Sequence, residues 1–522
     1  MFQKKILLTN NDNLIVILLF LFVILIRIPH LLVLSDINDP SWDSASYFSL
    51  SSNLASGKGY IIGFKELFNS YLDTTAPYKN EISYICTWFP PVYPVLGALF
   101  IKLFGNEVFS LVLLNVLLHS ITVIILYKIF TEYLTGTFNI IVCILYSITP
   151  MIFSLSLNAM SETTYVVFSI LLVYFCIQYT NSGYGINRFL IVIALSSVTL
   201  LTRNLAIFNI IGVSLWLVSL RQYKRSFIYS IVLIIIFFAW EIGFSYSSHH
   251  HITSRYFTSW YQSYAIIGDV NDSQGSFNGL ANKLIISISG FFYLIYRMPA
   301  STFLSLFSII IVFLFAQKNK TPIEKLIMMT IISFFILAVY RAPNERYYII
   351  FIPMLLISLS IMINNKNSKS SFPLSYRILF VALVFLFMSF SYSAAKSFKD
   401  TYVYKKQFTE TKMQYLDLGI NDREKKCMAT YPMIVNHLLG NETLILPPNV
   451  NTSLSLEIII SQYRIDYMII NSSDTYMINS ELYKPFYLKQ EYIKLIDYEF
   501  ILEKQTKDVW VYKVILFNKA ES

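Results

Sequence analysis

The chain has 522 residues, of which 55% are hydrophobic and 14% are charged. Soluble domains carry about 25% charged residues, so a single water-soluble core could not use this much apolar surface, and the excess must face lipid. The formal net charge is +9, but Lys and Arg occur in short clusters between apolar runs rather than in a stripe, which argues against nucleic-acid binding.

Long apolar runs follow one another along most of the chain. A helix needs about 20 residues to cross the hydrocarbon core. The first run follows Lys4 and Lys5 and predicts a retained span with its N-terminus in the cytoplasm. Two pieces, Val92–Phe104 and Leu284–Tyr296, are too short to span and fit interfacial or re-entrant helices. The sequence predicts about eleven spans: Leu14–Leu34, Val108–Ile129, Phe138–Leu157, Thr163–Tyr179, Phe189–Thr202, Leu205–Leu220, Phe227–Tyr246, Ala300–Phe315, Ile323–Tyr340, Tyr347–Ile363 and Ile378–Tyr392.

Basic residues predict how these spans are oriented. With the N-terminus inside, every strong basic cluster falls in an inner connection, as the positive-inside rule requires. The inner connections contain Lys128, Arg188, Arg221, Lys224, Arg225, Lys318, Lys320, Lys325, Lys366 and Lys369. The large loops 35–91 and 247–283 then lie outside, and the odd number of spans also places the C-terminal end outside the membrane. His249, His250 and His251 in the second loop favour a solvated loop over a metal site, because adjacent residues rarely ligate one ion.

The tail alternates short strand-like and helix-like segments. Strands are predicted at Lys426–Thr430, Thr443–Leu446, Tyr467–Asn471 and Val509–Ile515, with helices at Pro432–Leu439 and Leu454–Gln462. This alternation indicates a small open α/β sheet. We therefore expect residues 1–395 to form a helical membrane domain and residues 396–522 to form an extracytoplasmic α/β domain. The tail contains no GxGxxG sequence and no P-loop.

Asp43 stands just after the first span. If the segment from Asp43 to Leu54 is helical, Asp43 and Tyr47 share one helix face at positions i and i+4. Two readings stay open: a general base held at the membrane surface, or an acid that stabilises a helix N-terminus. Tyr93 lies in the aromatic, proline-rich entry to the short apolar segment, where a loop-to-helix junction is a sufficient explanation.

Three other ionisable residues fall at the outer ends of predicted spans. Glu162 begins the fourth span, either as an ordinary helix start or as a side chain that reaches a cavity. Arg203 and Arg346 lie outside against the positive-inside bias, and a guanidinium there can bind a phosphate or extend to lipid headgroups. Tyr347 adjoins Arg346 and Arg341 is near, which favours phosphate binding at that position.

The order of these motifs resembles the GT-C class of membrane glycosyltransferases, which includes the aminoarabinose transferases of lipid A and the protein O-mannosyltransferases. The resemblance extends from Asp43 to Pro353 and only loosely includes the tail. It rests on Asp43-x-x-x-Tyr47, Gly57-Lys58-Gly59-Tyr60, Pro90-Pro91-Val92-Tyr93-Pro94, Leu103-Phe104-Gly105, Ser161-Glu162-Thr163, Thr202-Arg203, Arg346-Tyr347 and Pro353.

The resemblance implies a glycosyltransferase with a polyprenyl-phosphate sugar donor and a glycan, lipid or protein acceptor outside the cytoplasm. It implies a site between the first outer loop and the outer ends of the helices. Asp43 would deprotonate the acceptor hydroxyl for an inverting displacement. Arg346, with Arg203 and Tyr347, would bind the donor phosphate. Tyr47, Glu162 and Tyr93 would line the site.

The chain departs from the family pattern at two places. Ser44 stands where relatives often have Glu, and Phe89 stands where some carry a charged residue or His, so no metal is expected. The four cysteines show no metal-ligand spacing, and no cofactor is expected. A transporter or flippase of a lipid-linked saccharide is the alternative, but it should show repeat symmetry and ionisable groups near mid-membrane. A non-catalytic envelope assembly protein is a third reading.

Overall fold

The computed structural model describes most of the N-terminal half of the chain and much of the tail. The described residues are 10–34, 42–65, 84–85, 89–105, 108–134, 137–203, 205–247, 322–340, 349–350, 352–354, 356–357, 360, 412–420, 424–431, 435, 438–439, 441–446, 453–471 and 482–516.

The chain forms two compact units. The first, which is helical, comprises Met1–Leu32, Thr87–Leu96 and Leu111–Asp400. The second comprises Val33–Cys86, Gly97–Ser110 and Thr401–Ser522, and it contains the strands. Residues of the loop predicted at 35–91 therefore group with the tail, although hundreds of residues separate them in sequence.

Helices dominate the described residues up to Tyr340. They are α1 (Asn10–Leu25), α2 (Ile28–Leu34), α3 (Trp42–Ala55), α4 (Val92–Phe104), α5 (Val108–Phe130), α6 (Thr137–Ile148), α7 (Pro150–Ser156), α8 (Glu162–Asn181), α9 (Ile186–Leu200), α10 (Ala206–Ser219), α11 (Tyr223–Ser247) and α12 (Pro322–Tyr340).

At least four described stretches are long and apolar enough to cross a membrane: Asp12–Val33, Val108–Phe130, Glu162–Asn181 and Tyr223–Trp240. Other apolar helices, including α4, α9 and α10, have fewer than 18 residues. The predicted bounds of the short helix Val92–Phe104 are confirmed. The count of eleven spans stays a prediction, and the spans predicted at Ala300–Phe315 and Ile378–Tyr392 lie outside the described residues, as does the short segment Leu284–Tyr296.

The predicted span Phe138–Leu157 is wrong as one continuous helix, because it divides into α6 and α7 at Thr149. Pro150 has no N–H to continue the helical hydrogen bonds, and its ring pushes the preceding residue out of the helical region. Thr149 accordingly has φ −54° and ψ 124°. Proline is readily accommodated in the first turn of the new helix, α7.

A second break separates α1 from α2, and Arg27 lies in it. The Arg27 N–H donates to the Ile24 carbonyl rather than to the Val23 carbonyl one residue earlier. The Arg27 side chain replaces that lost partner, because Nη1 donates to the Val23 carbonyl at 3.1 Å. Nη2 donates to the Ser147 carbonyl at 2.9 Å and Nε donates to Ser156 Oγ at 2.7 Å. One fully buried guanidinium thus satisfies polar groups at the ends of α1, α6 and α7.

Close helix contacts organise the rest of the helical unit. A Cβ added to Gly212 on α10 would lie 2.7 Å from Cα of Thr330 on α12, so only glycine permits this approach. Trp216 Nε1 donates to the Pro322 carbonyl at 2.7 Å in the same interface. Elsewhere, polar side chains bridge neighbouring helices, as in the Tyr229 hydroxyl donating to Ser196 Oγ at 2.8 Å. Small residues and interhelical hydrogen bonds of this kind are typical of membrane helix bundles.

The second unit contains a seven-stranded mixed sheet. The strands are β1 (Ile61–Ile62), β2 (Phe64–Lys65), β3 (Tyr84–Ile85), β4 (Cys427–Ala429), β5 (Thr443–Ile445), β6 (Tyr467–Asn471), β7 (Tyr492–Lys494), β8 (Tyr498–Gln505) and β9 (Val509–Leu516). The sheet has the order β2-β5-β4-β6-β9-β8-β7, while β1 and β3 form a separate pair. Two helices, α13 (Ser453–Tyr463) and α14 (Lys484–Tyr487), also belong to the tail.

The strand directions divide this sheet into two halves. Strands β2, β5, β4 and β6 are parallel, whereas β6, β9, β8 and β7 are antiparallel neighbours. The predicted strand Tyr467–Asn471 is confirmed residue for residue, and the final strand ends at Leu516 rather than Ile515. Strands β7 and β8 were not predicted, and neither was β2, which lies within the loop predicted at 35–91.

Replacing Arg27 with Met should destabilise the helical unit. The change leaves the buried carbonyls of Val23 and Ser147 without a donor, and each unsatisfied buried group costs about 1–3 kcal/mol. We expect a loss of about 3 kcal/mol, seen as a lower midpoint of thermal unfolding in detergent. Arg221→Met is the matched control, because Arg221 is exposed. Equal midpoints for the two variants would contradict the structural role of Arg27.

Candidate functional site

Asp43 lies in the first turn of α3, at the position that the sequence suggested. The helix runs from Trp42 to Ala55, so the condition for Asp43 and Tyr47 to share one face is met. Asp43 is half-buried, and Tyr47 one turn later is buried. The Ser51 hydroxyl donates to the Tyr47 carbonyl at 2.7 Å within the helix. A carboxylate at this end of a helix interacts favourably with the helix dipole, so the geometry is compatible with both readings of Asp43.

A glycine turn ends α3 and starts the path to the first strand. Gly57 and Gly59 have φ of 78° and 97°, which L side chains rarely adopt. The Lys58 N–H donates to the Asn53 carbonyl at 2.9 Å. These glycines explain why the Gly57-Lys58-Gly59-Tyr60 motif has its spacing: the chain reverses there and brings Tyr60 into a buried position.

Glu162 and Arg203 form a buried ion pair in the helical unit. Arg203 Nη1 lies 2.7 Å from Glu162 Oε1 and donates to Ser161 Oγ at 3.3 Å. The Glu162 side chain is 1% exposed and the Arg203 side chain 13%. Glu162 begins α8, and Arg203 follows the end of α9, so the pair joins a helix start to a helix end. The carboxylate compensates the Arg203 charge and fixes the direction of the guanidinium.

Asn115 holds the turn that leads into Glu162. Its Nδ2 donates to the carbonyls of Asn158 and Met160, the latter at 2.9 Å, and lies 3.2 Å from the Tyr93 hydroxyl. Both Asn115 and Tyr93 are fully buried. One amide group therefore fastens the start of α4 and the turn before α8 to the side of α5.

The end of α9 that precedes Arg203 is hydrogen-bonded to the start of α4. The Val92 N–H donates to the Leu201 carbonyl at 3.0 Å, two residues before Arg203. The structure thus brings three sequence-predicted residues, Tyr93, Glu162 and Arg203, into one connected hydrogen-bonded region. Asn115 was missed by the sequence reasoning, although a strongly polar amide inside an otherwise apolar span was the available signal.

Other predicted residues are placed differently or are not described. Asp43 and Tyr47 belong to the second compact unit, whereas Tyr93, Glu162 and Arg203 belong to the helical unit. Arg346 and Tyr347 lie outside the described residues, as do His249, His250 and His251.

Within the described ranges, no group of three or more His, Cys, Asp and Glu residues could hold a metal ion. The tail cysteine, Cys427, is buried between strands, and burial raises the pKa of its thiol to about 12, with a smaller contribution from Asp466. A thiol in this state is a weak nucleophile at neutral pH. We assign it no role in the site.

Residues 89–242 match the family model described as dolichyl-phosphate-mannose-protein mannosyltransferase. The matched stretch includes Tyr93, Asn115, Glu162 and Arg203. No curated protein sequence matches the chain.

Solved structures match nearly the whole chain in fold. ArnT from Cupriavidus metallidurans bound to undecaprenyl phosphate is 10% identical, with a TM-score of 0.55 over 94% of this chain and 97% of ArnT. Apo ArnT from the same organism is 11% identical, with a TM-score of 0.54 over 95% and 97%. The Archaeoglobus fulgidus oligosaccharyltransferase in complex with zinc and sulfate is 12% identical, with a TM-score of 0.54 over 96% of this chain and 73% of that protein.

At these identities the solved structures establish the fold. It is a helical, GT-C-like membrane fold with a C-terminal sheet region, and the resemblance inferred from the motifs is confirmed.

The ion pair between Glu162 and Arg203 should stabilise the helical unit against unfolding. Replacing Glu162 with Leu removes the carboxylate that lies 2.7 Å from a largely buried cation, and breaking such a pair costs about 3–5 kcal/mol. Adding Arg203→Met to this variant should recover part of the loss, because the double variant no longer buries the Arg203 charge. A double-mutant cycle on unfolding in mixed micelles measures the coupling. Additive losses would contradict the pairing.

Proposed function

We propose that this protein is a membrane glycosyltransferase that moves a sugar from a polyprenyl-phosphate-linked donor to a glycan, lipid or protein acceptor outside the cytoplasm. The observation that carries the proposal is the fold match over 94% of the chain to ArnT, a protein solved with undecaprenyl phosphate bound. Fold alone does not fix an activity, so the proposal also assigns chemical roles to particular residues.

In the proposed reaction Asp43 is the general base. Its carboxylate takes the proton from the acceptor hydroxyl, whose oxygen attacks the anomeric carbon of the donor sugar. The bond between that carbon and the phosphate oxygen breaks, and its electron pair stays on the phosphate. A single displacement of this kind inverts the anomeric centre. The position of Asp43 at the start of a helix that follows the first candidate span supports this role.

The leaving group in this scheme is a lipid phosphate, which gains negative charge as the bond breaks. We assign its binding to Arg346, Arg203 and Tyr347, since a guanidinium forms paired, charge-assisted hydrogen bonds with phosphate oxygens. Glu162 orients Arg203 through the 2.7 Å contact, and Tyr47 and Tyr93 complete the lining. Because Arg203 is already compensated by Glu162, Arg346 has the larger share of the binding.

We further propose the membrane arrangement predicted from the sequence. It has about eleven spans, a cytoplasmic N-terminus, outer loops at 35–91 and 247–283, and a membrane domain 1–395 followed by an extracytoplasmic domain 396–522. Strand pairing supports an even number of spans between the first outer loop and the tail, and this argument does not depend on the distribution of charge. Strand β2 of the first outer loop is hydrogen-bonded to β5 of the tail. Paired strands must lie on one side of the membrane, so an even number of spans separates them.

Replacing Asp43 with Asn should abolish sugar transfer while leaving the fold intact. Loss of a general base costs about 10²–10⁴-fold in rate, and the amide has nearly the same shape. The measurement is mass spectrometry of envelope glycans from cells that lack the gene and are complemented with each variant at equal protein level. Asp417→Asn is the matched control, because Asp417 is an exposed residue of the tail. Normal glycans with Asp43→Asn would exclude Asp43 as the base and would favour a flippase.

Replacing Arg346 with Met should weaken binding of undecaprenyl phosphate about 10- to 100-fold, because a hydrogen bond to a charged group contributes about 1.5–3 kcal/mol. Arg203→Met should have a smaller effect. Binding can be measured in nanodiscs by native mass spectrometry, with undecaprenol as the ligand that lacks the phosphate and Arg221→Met as the control variant. Equal losses for both ligands would mean that Arg346 does not recognise the phosphate.

A further inference from the structure

One residue of the first outer loop, Gly63, is hydrogen-bonded through both its N–H and its carbonyl. The Gly63 N–H donates to Ser49 Oγ on α3 at 3.1 Å. The Gly63 carbonyl accepts from the Thr443 N–H at the start of β5 at 3.4 Å. Gly63 therefore links the helix that carries Asp43 to the sheet of the tail, and all of these residues belong to the second compact unit.

The helix side of this link is firmly packed. Asn53 Nδ2 on α3 donates to the Ile61 carbonyl at 2.8 Å, and Ile61 pairs with Ile85 in the β1–β3 ladder. Phe48 and Ser49 of α3 are 6% and 7% exposed, and Ile62 of β1 is 1% exposed. The segment that follows the glycine turn is thus fixed to α3 by two side-chain hydrogen bonds and apolar contact.

The sheet side is equally well defined. Phe64 and Lys65 of β2 pair in parallel with Thr443 and Leu444 of β5. Strand β5 is also paired with β4 on its other side, so β2 adds one more strand to the sheet that β5 and β4 form. Thr443 and Leu444 are both fully buried.

From these contacts we infer that the tail sheet positions α3, and through it Asp43, for the reaction proposed above. Ser49 and Thr443 are positioning residues in this scheme. A helix of 14 residues is marginal by itself in water, so α3 depends on tertiary contacts for its placement. A base that is displaced by about 1 Å can lose about 10²-fold in rate, which gives the strand pairing a functional consequence.

Two variants remove the link from opposite ends. Ser49→Ala removes the acceptor for the Gly63 N–H, and Thr443→Pro removes the donor to the Gly63 carbonyl. Ser51→Ala is the matched control, because Ser51 is a buried serine of the same helix whose hydroxyl donates to the Tyr47 carbonyl. Ser49→Thr keeps the hydroxyl and should restore the wild-type behaviour. If Thr443→Pro fails to fold, the comparison of Ser49→Ala with Ser49→Thr still tests the link between α3 and the tail sheet.

Three readouts on the full-length protein test the inference. Hydrogen–deuterium exchange of the amides 42–55 should become at least about tenfold faster in Ser49→Ala and Thr443→Pro, and should stay unchanged in Ser51→Ala. Envelope glycan product should fall about tenfold or more in the same two variants. Binding of undecaprenyl phosphate should stay within about twofold of wild type, because Arg203, the described phosphate ligand proposed above, belongs to the other unit.

The outcomes separate this inference from the proposed function. Wild-type exchange in α3 together with wild-type product in Ser49→Ala would overturn the inference and leave the transferase proposal intact. Parallel losses of product and of undecaprenyl phosphate binding would also overturn it, since they indicate general damage. If wild-type cells make no product that depends on this protein, the transferase proposal fails, and the exchange experiment still decides whether the tail sheet positions α3.

Discussion

A polar group that is removed from water must find a partner, and this requirement governs both units of the protein. In the helical unit, Arg27 donates to carbonyls that helix breaks leave unsatisfied, and Asn115 does the same for the turn before α8. Glu162 and Arg203 compensate one another within 2.7 Å. In the second unit, the backbone of the first outer loop finds its partners in the tail sheet. The irregular parts of the chain are placed by these bonds.

The same requirement explains which parts of the fold could be predicted from the sequence. Local signals were sufficient where an element depends on its own pattern: Val92–Phe104 and Tyr467–Asn471 have the predicted bounds. The predicted span Phe138–Leu157 is not one continuous helix, because the apolar run concealed the break that Pro150 imposes. Strand β2 has two residues and no recognisable pattern, since its existence depends on β5 far along the chain. Nonlocal pairing of this kind leaves little trace in a local sequence window.

For the candidate site, too, the sequence identified individual residues but not the contacts between them. The residue types and their order identified Asp43, Glu162 and Arg203 as chemically interesting, but not that Glu162 and Arg203 would pair. That contact joins the start of α8 to the end of α9, and it follows from how the helices pack. It also refines the chemistry, because a compensated guanidinium binds a second anion less strongly than a lone one. Asn115 supports this contact from outside the pair, because its amide holds the turn that leads into Glu162.

The pairing of β2 with β5 has a consequence for biogenesis. The ribosome makes Phe64 early and Thr443 near the end, and at about 5–20 residues per second the interval between them is on the order of tens of seconds. During that time β2 lacks the strand with which it pairs in the folded protein. A segment near the start of the chain is therefore among the last to complete its hydrogen bonds, because its partner strand is made near the end.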